Sequence, residues 1–268
     1  MQLKGVTKKY RHPVVDHVDL EVSKQRLTAF IGPNGAGKST LLGMMSRLLP
    51  KDEGFIFING QEVEVWNSTE LAKELAVLKQ NQQVHVSMTV EEFVRFGRFP
   101  YTKGKITKED EHIVEEALVN TNLTSFRTQD IGTLSGGQYQ RALIAMVLAQ
   151  DTEWILLDEP LNHLDLKQAY EVMNLLRFLV DEKEKSIVIV MHDLNMASNF
   201  SDEIACFKDG KCIIHDTVDK VMKDDVLSAL YEIPLEVVEL NDKKICIFGC
   251  LFVLRHFYLG TERHHSSK

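Results

Sequence analysis

The chain has 268 residues and a formal charge of 31 − 39 = −8 with its histidines neutral. A hydrophobic fraction of 44% beside 26% charged residues excludes a disordered chain, a collagen-like chain and a polytopic membrane protein. This length makes one large domain or two small ones, able to bury ~70–75% of the surface of the unfolded chain.

In chain order, Val18, Leu20 and Val22 alternate with Asp19 and Glu21, the period of a half-buried strand. Leu27 to Ile31 is apolar throughout. Phe55 to Ile58 followed by Asn59-Gly60 predicts a hairpin, because Asn-Gly supplies the positive φ angles of a tight turn. Leu75 to Leu78 is again apolar on both faces. The stretch 88–150 reads as helical: Thr107 is a predicted N-cap with Asp110 three residues on, and Ile113, Val114, Ala117 and Leu118 form one stripe. Leu143 to Leu148 predicts a mostly apolar helix. Trp154 to Leu157 and Ile187 to Met191 are further apolar runs, and Ile204 to Phe207, Asp209-Gly210 and Cys212 to Ile214 repeat the hairpin pattern.

Continuous apolar runs of strand length predict a parallel sheet covered on both faces. The fold expected is therefore α/β with antiparallel strands at the start and a helical insertion at 88–150. No repeat of fixed period occurs. Ile245 to Leu254, the longest uncharged apolar run, is about half the ~20 residues a spanning helix needs, so no membrane crossing is expected. The opening MQLKGVTKKY has no apolar core and reads as neither secretory signal nor anchor. Cys206, Cys212, Cys246 and Cys250 lack the spacing of a zinc site and read as free thiols in a reducing compartment. The acidic total argues against nucleic-acid binding. Residues 1–50 nevertheless hold eight Lys/Arg against three Asp/Glu, which suits an anionic ligand.

Gly32-Pro33-Asn34-Gly35-Ala36-Gly37-Lys38-Ser39, followed by Thr40, fits the phosphate-binding loop at every specified position and lies between an apolar strand and a helical pattern. Glycines let backbone N–H groups turn toward phosphate oxygens, and the helix start adds its positive end. Lys38 is expected to reach the β- and γ-phosphates and Ser39 to ligate Mg²⁺. Asp158 and Glu159 end the apolar strand Trp154 to Leu157. That placement aims Asp158 at the same metal through water, with Glu159 one residue further on as general base for the attacking water.

Leu134-Ser135-Gly136-Gly137-Gln138, leading into a helix about 20 residues before Asp158, resembles the signature of ATP-binding cassette (ABC) ATPases. It is a second helix N-terminus built to hold an anion. The resemblance covers residues 2–247 and implies a P-loop NTPase (RecA-like) core, about 1–87 and 151–225, with an antiparallel β subdomain and an inserted helical subdomain at 88–150. It implies Tyr10 on the adenine, Gln80 touching Mg²⁺, Leu164-Asp165 closing the D-loop, and His192 as the switch histidine at the γ-phosphate. It also implies two chains closing head to tail on two ATP molecules, Ser135 of one facing the phosphates of the other. Asn162 and His163 stand where many members have Ser-Ala and receive no role. The tail from Phe248 to Lys268 does not resemble a familiar ending.

Phe96-Gly-Arg-Phe-Pro-Tyr101, Met191 to Ala197 and Ile233-Pro-Leu-Glu236 resemble the ATPases of iron-siderophore and vitamin B12 importers, most closely the ferric-siderophore subgroup, which includes petrobactin-type systems. The expected partners are a second copy, integral permease subunits and, indirectly, an extracytoplasmic binding protein, with the chain held at the cytoplasmic face of the membrane. Val86, Met88, Val90, Phe93, Phe96 and Phe99 are candidates for the permease docking groove. The alternatives are the ATPase of a B12 or haem importer and a soluble scaffold such as those of iron–sulfur assembly.

Overall fold

In the computed structural model the residues described are 1–79, 87–102, 104–162 and 164–248. The chain opens with β1 (Gln2–Lys9) and β2 (Pro13–Glu21), an antiparallel pair in which Val15, Val18 and Leu20 point inward. β3 (Leu27–Ile31) is buried along its whole length and leads through the phosphate loop into α1 (Lys38–Met45). β4 (Glu53–Ile58) and β5 (Gln61–Glu62) form the Asn59-Gly60 hairpin, with φ of 52° and 81° at the turn. α2 (Ser68–Glu74) then leads into β6 (Leu75–Leu78).

Next come the helices α3 (Val90–Arg95), α4 (Phe99–Thr102), α5 (Lys108–Asn120) and α6 (Gly136–Ala149). Three of them start at a capping box, Thr89 with Glu92, Thr107 with Asp110 and Ser135 with Gln138, so two otherwise orphaned N–H groups are satisfied at each start. The buried stripe of α5 is Val114, Ala117 and Leu118, with Ile113 only partly covered.

β7 (Trp154–Asp158), α7 (Leu166–Asp181), β8 (Ser186–Val190), α8 (Leu194–Phe200) and β9 (Glu203–Lys208) complete the α/β part. The edge is β10 (Lys211–Thr217), joined to β9 through Asp209 and Gly210 at φ of 49° and 77°. The described chain ends with α9 (Val218–Val221), α10 (Asp224–Tyr231), β11 (Leu235–Leu240) and β12 (Lys243–Phe248), the last two forming a hairpin. The apolar run beginning at Ile245 thus enters a strand, while residues 249–268 lie outside the described part.

Among the described residues the strands form a four-stranded sheet, β2-β1-β4-β5, and a six-stranded sheet, β10-β9-β3-β8-β7-β6, besides the terminal hairpin. The five strands from β9 to β6 run parallel. Alternate residues of this sheet feed two cores. Ile155, Leu157, Ile187 and Ile189 meet α5–α8, while Trp154, Leu156, Val188 and Val190 meet α1 and the first sheet. This two-sided burial explains the unbroken apolar runs. Truncating Trp154, which is fully buried, to alanine costs about 3–5 kcal/mol.

Candidate functional site

Because β8 lies between β3 and β7, the carboxyl ends of three neighbouring strands deliver the phosphate loop, Asp158-Glu159 and His192 to one edge of the sheet. Ligand chemistry in open α/β sheets collects at this edge. The loop is shaped by glycine where glycine is required. Gly32 has φ of 141°, and a Cβ there would strike the carbonyl of Phe207. Gly37 has φ of 92°, and a Cβ there would strike the carbonyl of Val14 on β2. The turn therefore seats the loop against two strands at once.

α1 begins at Lys38 without a side-chain cap, which leaves its first N–H groups for an anion. Lys38 is buried and folds back over the loop, its Nζ donating to the carbonyls of Gly32 at 2.8 Å and Pro33 at 2.9 Å. Burial lowers its ammonium pKa, and the charges of Glu159 and Asp158 oppose that shift.

Ser39 Oγ donates to Asp158 Oδ1 at 2.7 Å across 119 positions of sequence. Asp158 is buried as the last residue of β7. Glu159 follows in the left-handed region at φ of 51°, its N–H donating to the Val190 carbonyl at 3.1 Å. That backbone turns its carboxylate out of the strand: Oε1 lies 2.7 Å from His192 Nε2, and Oε2 accepts from Asn162 Nδ2 at 2.7 Å. Val14, Asn34, Gly35, Ala36, Gly37, Lys38, Ser39, Thr40, Glu159 and His192 line a single cleft. Cationic, hydroxyl and backbone N–H groups on one wall face a paired carboxylate and imidazole on the other. Such a cleft can hold a polyphosphate and orient a water beside its end.

Tyr10 sits at the tip of the β1–β2 hairpin, 64% exposed, with Lys8 Nζ 5.6 Å from the ring centroid. Val14, four residues on, lines the cleft. Ser135 is exposed at the start of α6, where its Oγ accepts from Gln138 N at 3.4 Å and its own N–H donates to Gln138 Oε1 at 2.9 Å. Gly136 is exposed too, whereas Gly137 is buried against the side-chain amide of Gln168, which would have to move aside for a Cβ. None of residues 134–138 lines the cleft of its own chain.

Asp165 caps α7, accepting from Gln168 N at 2.8 Å. Gln80, Val86 and His163 lie outside the described residues. Within the expected docking groove Val90 and Phe93 are core residues and Met88 is partly buried. Phe96 and Phe99 are 52% and 58% exposed.

Burial pushes the Cys206 thiol up to about 12 and Cys212 to about 11, so neither is reactive at neutral pH. Cys206, Cys212 and Cys246 are unbridged, and Cys250 lies outside the described residues. Among the described residues no helix is long and apolar enough to cross a membrane.

Two contacts have no counterpart in the sequence reading. Asn162 holds Glu159, and the hydroxyl of Tyr231 accepts from the N–H of Gly32 at 3.1 Å, 199 positions away. The nearness of Asn162 to Glu159 in sequence could have suggested the first. No local signal announces the second.

The family profile described as ABC transporter matches residues 15–162. The chain is 43% identical over 249 residues to the petrobactin import ATP-binding protein YclP of Bacillus subtilis (strain 168), covering 92% of this chain and 99% of that protein. It is 42% identical over 240 residues to the petrobactin import ATP-binding protein FatE of Bacillus anthracis, covering 89% and 96%. Among solved structures, the dimeric post-hydrolysis state of the ATP-binding cassette MJ0796 bound to ADP and Pi matches with a TM-score of 0.73 at 30% identity, covering 81% of this chain and 98% of that one.

Proposed function

We propose that this chain, which belongs to the ABC transporter family, is the ATP-hydrolysing subunit that powers import of a ferric siderophore through a membrane permease. The single observation that carries the catalytic reading is the convergence of Ser39 on Asp158 and of Glu159 on His192, each at 2.7 Å. A hydroxyl, two carboxylates and an imidazole gathered at one edge of the sheet support a reading in which some hold phosphate and others orient water. The cargo reading rests on kinship with the two petrobactin import proteins, aligned over nearly their whole lengths.

In this reading Gly32–Thr40 wrap the phosphates, Lys38 leaves its carbonyl partners for the β- and γ-oxygens, and Tyr10 stacks on adenine. Glu159 takes a proton from the attacking water, and His192 orients both Glu159 and the γ-phosphate. Phosphoryl transfer asks little covalent work of the protein, so positioning and charge carry most of the rate. Ser39 Oγ and Asp158 Oδ1 are hard oxygen donors at the cleft, a set that suits Mg²⁺, which keeps waters and takes phosphate oxygens. With Gln80 they would hold the ion, whose chemistry is to neutralise charge on the β- and γ-oxygens.

Ser135, Gly136, Gly137 and Gln138 do not reach their own chain's cleft. They act on ATP held by a partner, so the working unit is a pair of chains, a homodimer on permease subunits that receive cargo from an extracytoplasmic binding protein. Residues 1–247 form the ABC ATPase domain, at the cytoplasmic face of the membrane.

The test is radioiron uptake by cells lacking this chain and supplied with iron as one ferric siderophore. Uptake should vanish and return with the parent gene but not with Lys38→Ala. Normal uptake of every ferric siderophore offered would remove the cargo reading while leaving the ATPase intact.

A further inference from the structure

We propose that residues 224–248 form a brace that fixes the phosphate loop and the switch-histidine helix relative to one another, with Tyr231 on the brace and Asn195 on that helix as the two positioning residues. The proposal rests on the reading of Gly32–Thr40 and His192 given above.

At one end, Tyr231 leaves the last turn of α10 and its hydroxyl accepts from the Gly32 N–H at 3.1 Å. Gly32 opens the loop and is held in place: its carbonyl accepts from Lys38 Nζ at 2.8 Å, and the Phe207 carbonyl occupies the space a Cβ would need. The Tyr231 ring packs against the main core, and burial drives its ionisation upward, so the hydroxyl stays neutral. Lys208 ties the same helix end to β9, donating to Ala229 O and Glu232 Oε1 at 2.8 Å each.

At the other end, Asn195 uses its carboxamide as a strand would. Its Oδ1 accepts from Cys246 N at 2.7 Å and its Nδ2 donates to Cys246 O at 3.3 Å. Ser198 Oγ adds a bond to Lys244 O at 2.6 Å. Both residues lie on α8, which begins two positions after His192 and is capped by Asp193 through the N–H groups of Asn195 and Met196.

The middle is continuous. Ser228 Oγ bonds both the N–H and the carbonyl of Leu235, Asp224 Oδ1 accepts from Val237 N at 2.7 Å, and β11 pairs with β12 along its whole length. A side chain thus meets backbone polar groups at each terminus of a hydrogen-bonded unit. A rearrangement of the loop around phosphates is transmitted to the helix behind His192, and the reverse.

The experiment is a double-mutant cycle on ATPase activity of the full chain. Tyr231→Phe removes one oxygen, and Asn195→Ala removes the carboxamide. Cutting a brace at either end loses the same registration. Each variant should therefore lower kcat about three- to tenfold, with nucleotide-binding stoichiometry unchanged, and the double variant should fall no further than the worse single. Losses that multiply, or either single variant keeping the parent's kcat, overturn the brace. If Asn195→Ala folds poorly, amide exchange in Tyr231→Phe decides. Faster exchange across Leu194–Phe200, which the substitution does not touch, supports the brace, and parental exchange there overturns it. A failure of the ATPase reading would look different, because the parent chain itself would then be inactive.

Discussion

Glu159 and His192 meet side chain to side chain, Oε1 to Nε2 at 2.7 Å, although 33 positions separate them. The contact exists because β7 and β8 are neighbours in parallel register, with Asp158 opposite Val190. The left-handed backbone at Glu159 then turns its carboxylate along the sheet edge instead of out to solvent. Replacing Glu159 with Gln keeps the shape and removes the carboxylate proposed as the base. Steady-state ATPase should fall by about 10²–10⁴-fold, while nucleotide titration gives the parent's affinity and size-exclusion chromatography with ATP shows a trapped pair. Near-parental turnover would remove Glu159 from the role of base.

Asn162 holds the second carboxylate oxygen at 2.7 Å. Its loss removes that hold on Glu159, and small misplacements of a group proposed to act on the attacking water are costly. Asn162→Ala should lower kcat about ten- to hundredfold with KM for ATP unchanged. An effect on KM alone would make Asn162 a binding residue.

Tyr10 presents an exposed ring at a hairpin tip joined to the strand that carries Val14 into the cleft. An aromatic face stacked on a base contributes about 1–3 kcal/mol, so Tyr10→Ala should weaken ATP about 5- to 150-fold by equilibrium titration. Tyr10→Trp should bind as the parent does. Unchanged affinity in the alanine variant would place the adenine elsewhere.

Arg98 and Asp110 form a buried pair, Nε to Oδ1 at 2.8 Å, with side chains 7% and 6% exposed. Arg98 also donates to the Ala149 carbonyl at 3.0 Å, which joins the segments before α4, at the start of α5 and at the end of α6. Arg98→Ala leaves a buried carboxylate unpaired and should cost about 3–5 kcal/mol in urea unfolding. Burial by itself raises the Asp110 pKa, but hydrogen bonds from Thr107 and Arg98 outweigh it and hold the carboxyl below the usual range. A depressed carboxyl stabilises fully above its unfolded value of about 3.9, and that stability is lost as pH falls from about 5 through the folded value. Unfolding titrations from pH 7 to pH 3 should show the parent losing more stability than Asp110→Asn does.

The sequence by itself determined what depends on neighbours within a few residues. The spacing Gly32 to Ser39 encodes a glycine turn closed by a helix start, Asn59-Gly60 and Asp209-Gly210 encode hairpins, and Thr107 with Asp110 encodes a cap. Each rests on local φ preference or a bond spanning three residues, and such physics survives without knowledge of the fold. Apolar runs buried on both faces likewise announced a covered parallel sheet.

Only the tertiary structure decided which strand lies beside which. The order β3-β8-β7 brings Ser39 to Asp158 and His192 to Glu159. The return of the last described segment brings Tyr231 to Gly32 and Cys246 to Asn195. It also decided that Val90 and Phe93 face the core while Phe96 and Phe99 face outward. These contacts join residues whose separations no periodicity encodes, because they follow from how whole sheets and helices pack to bury their apolar faces together.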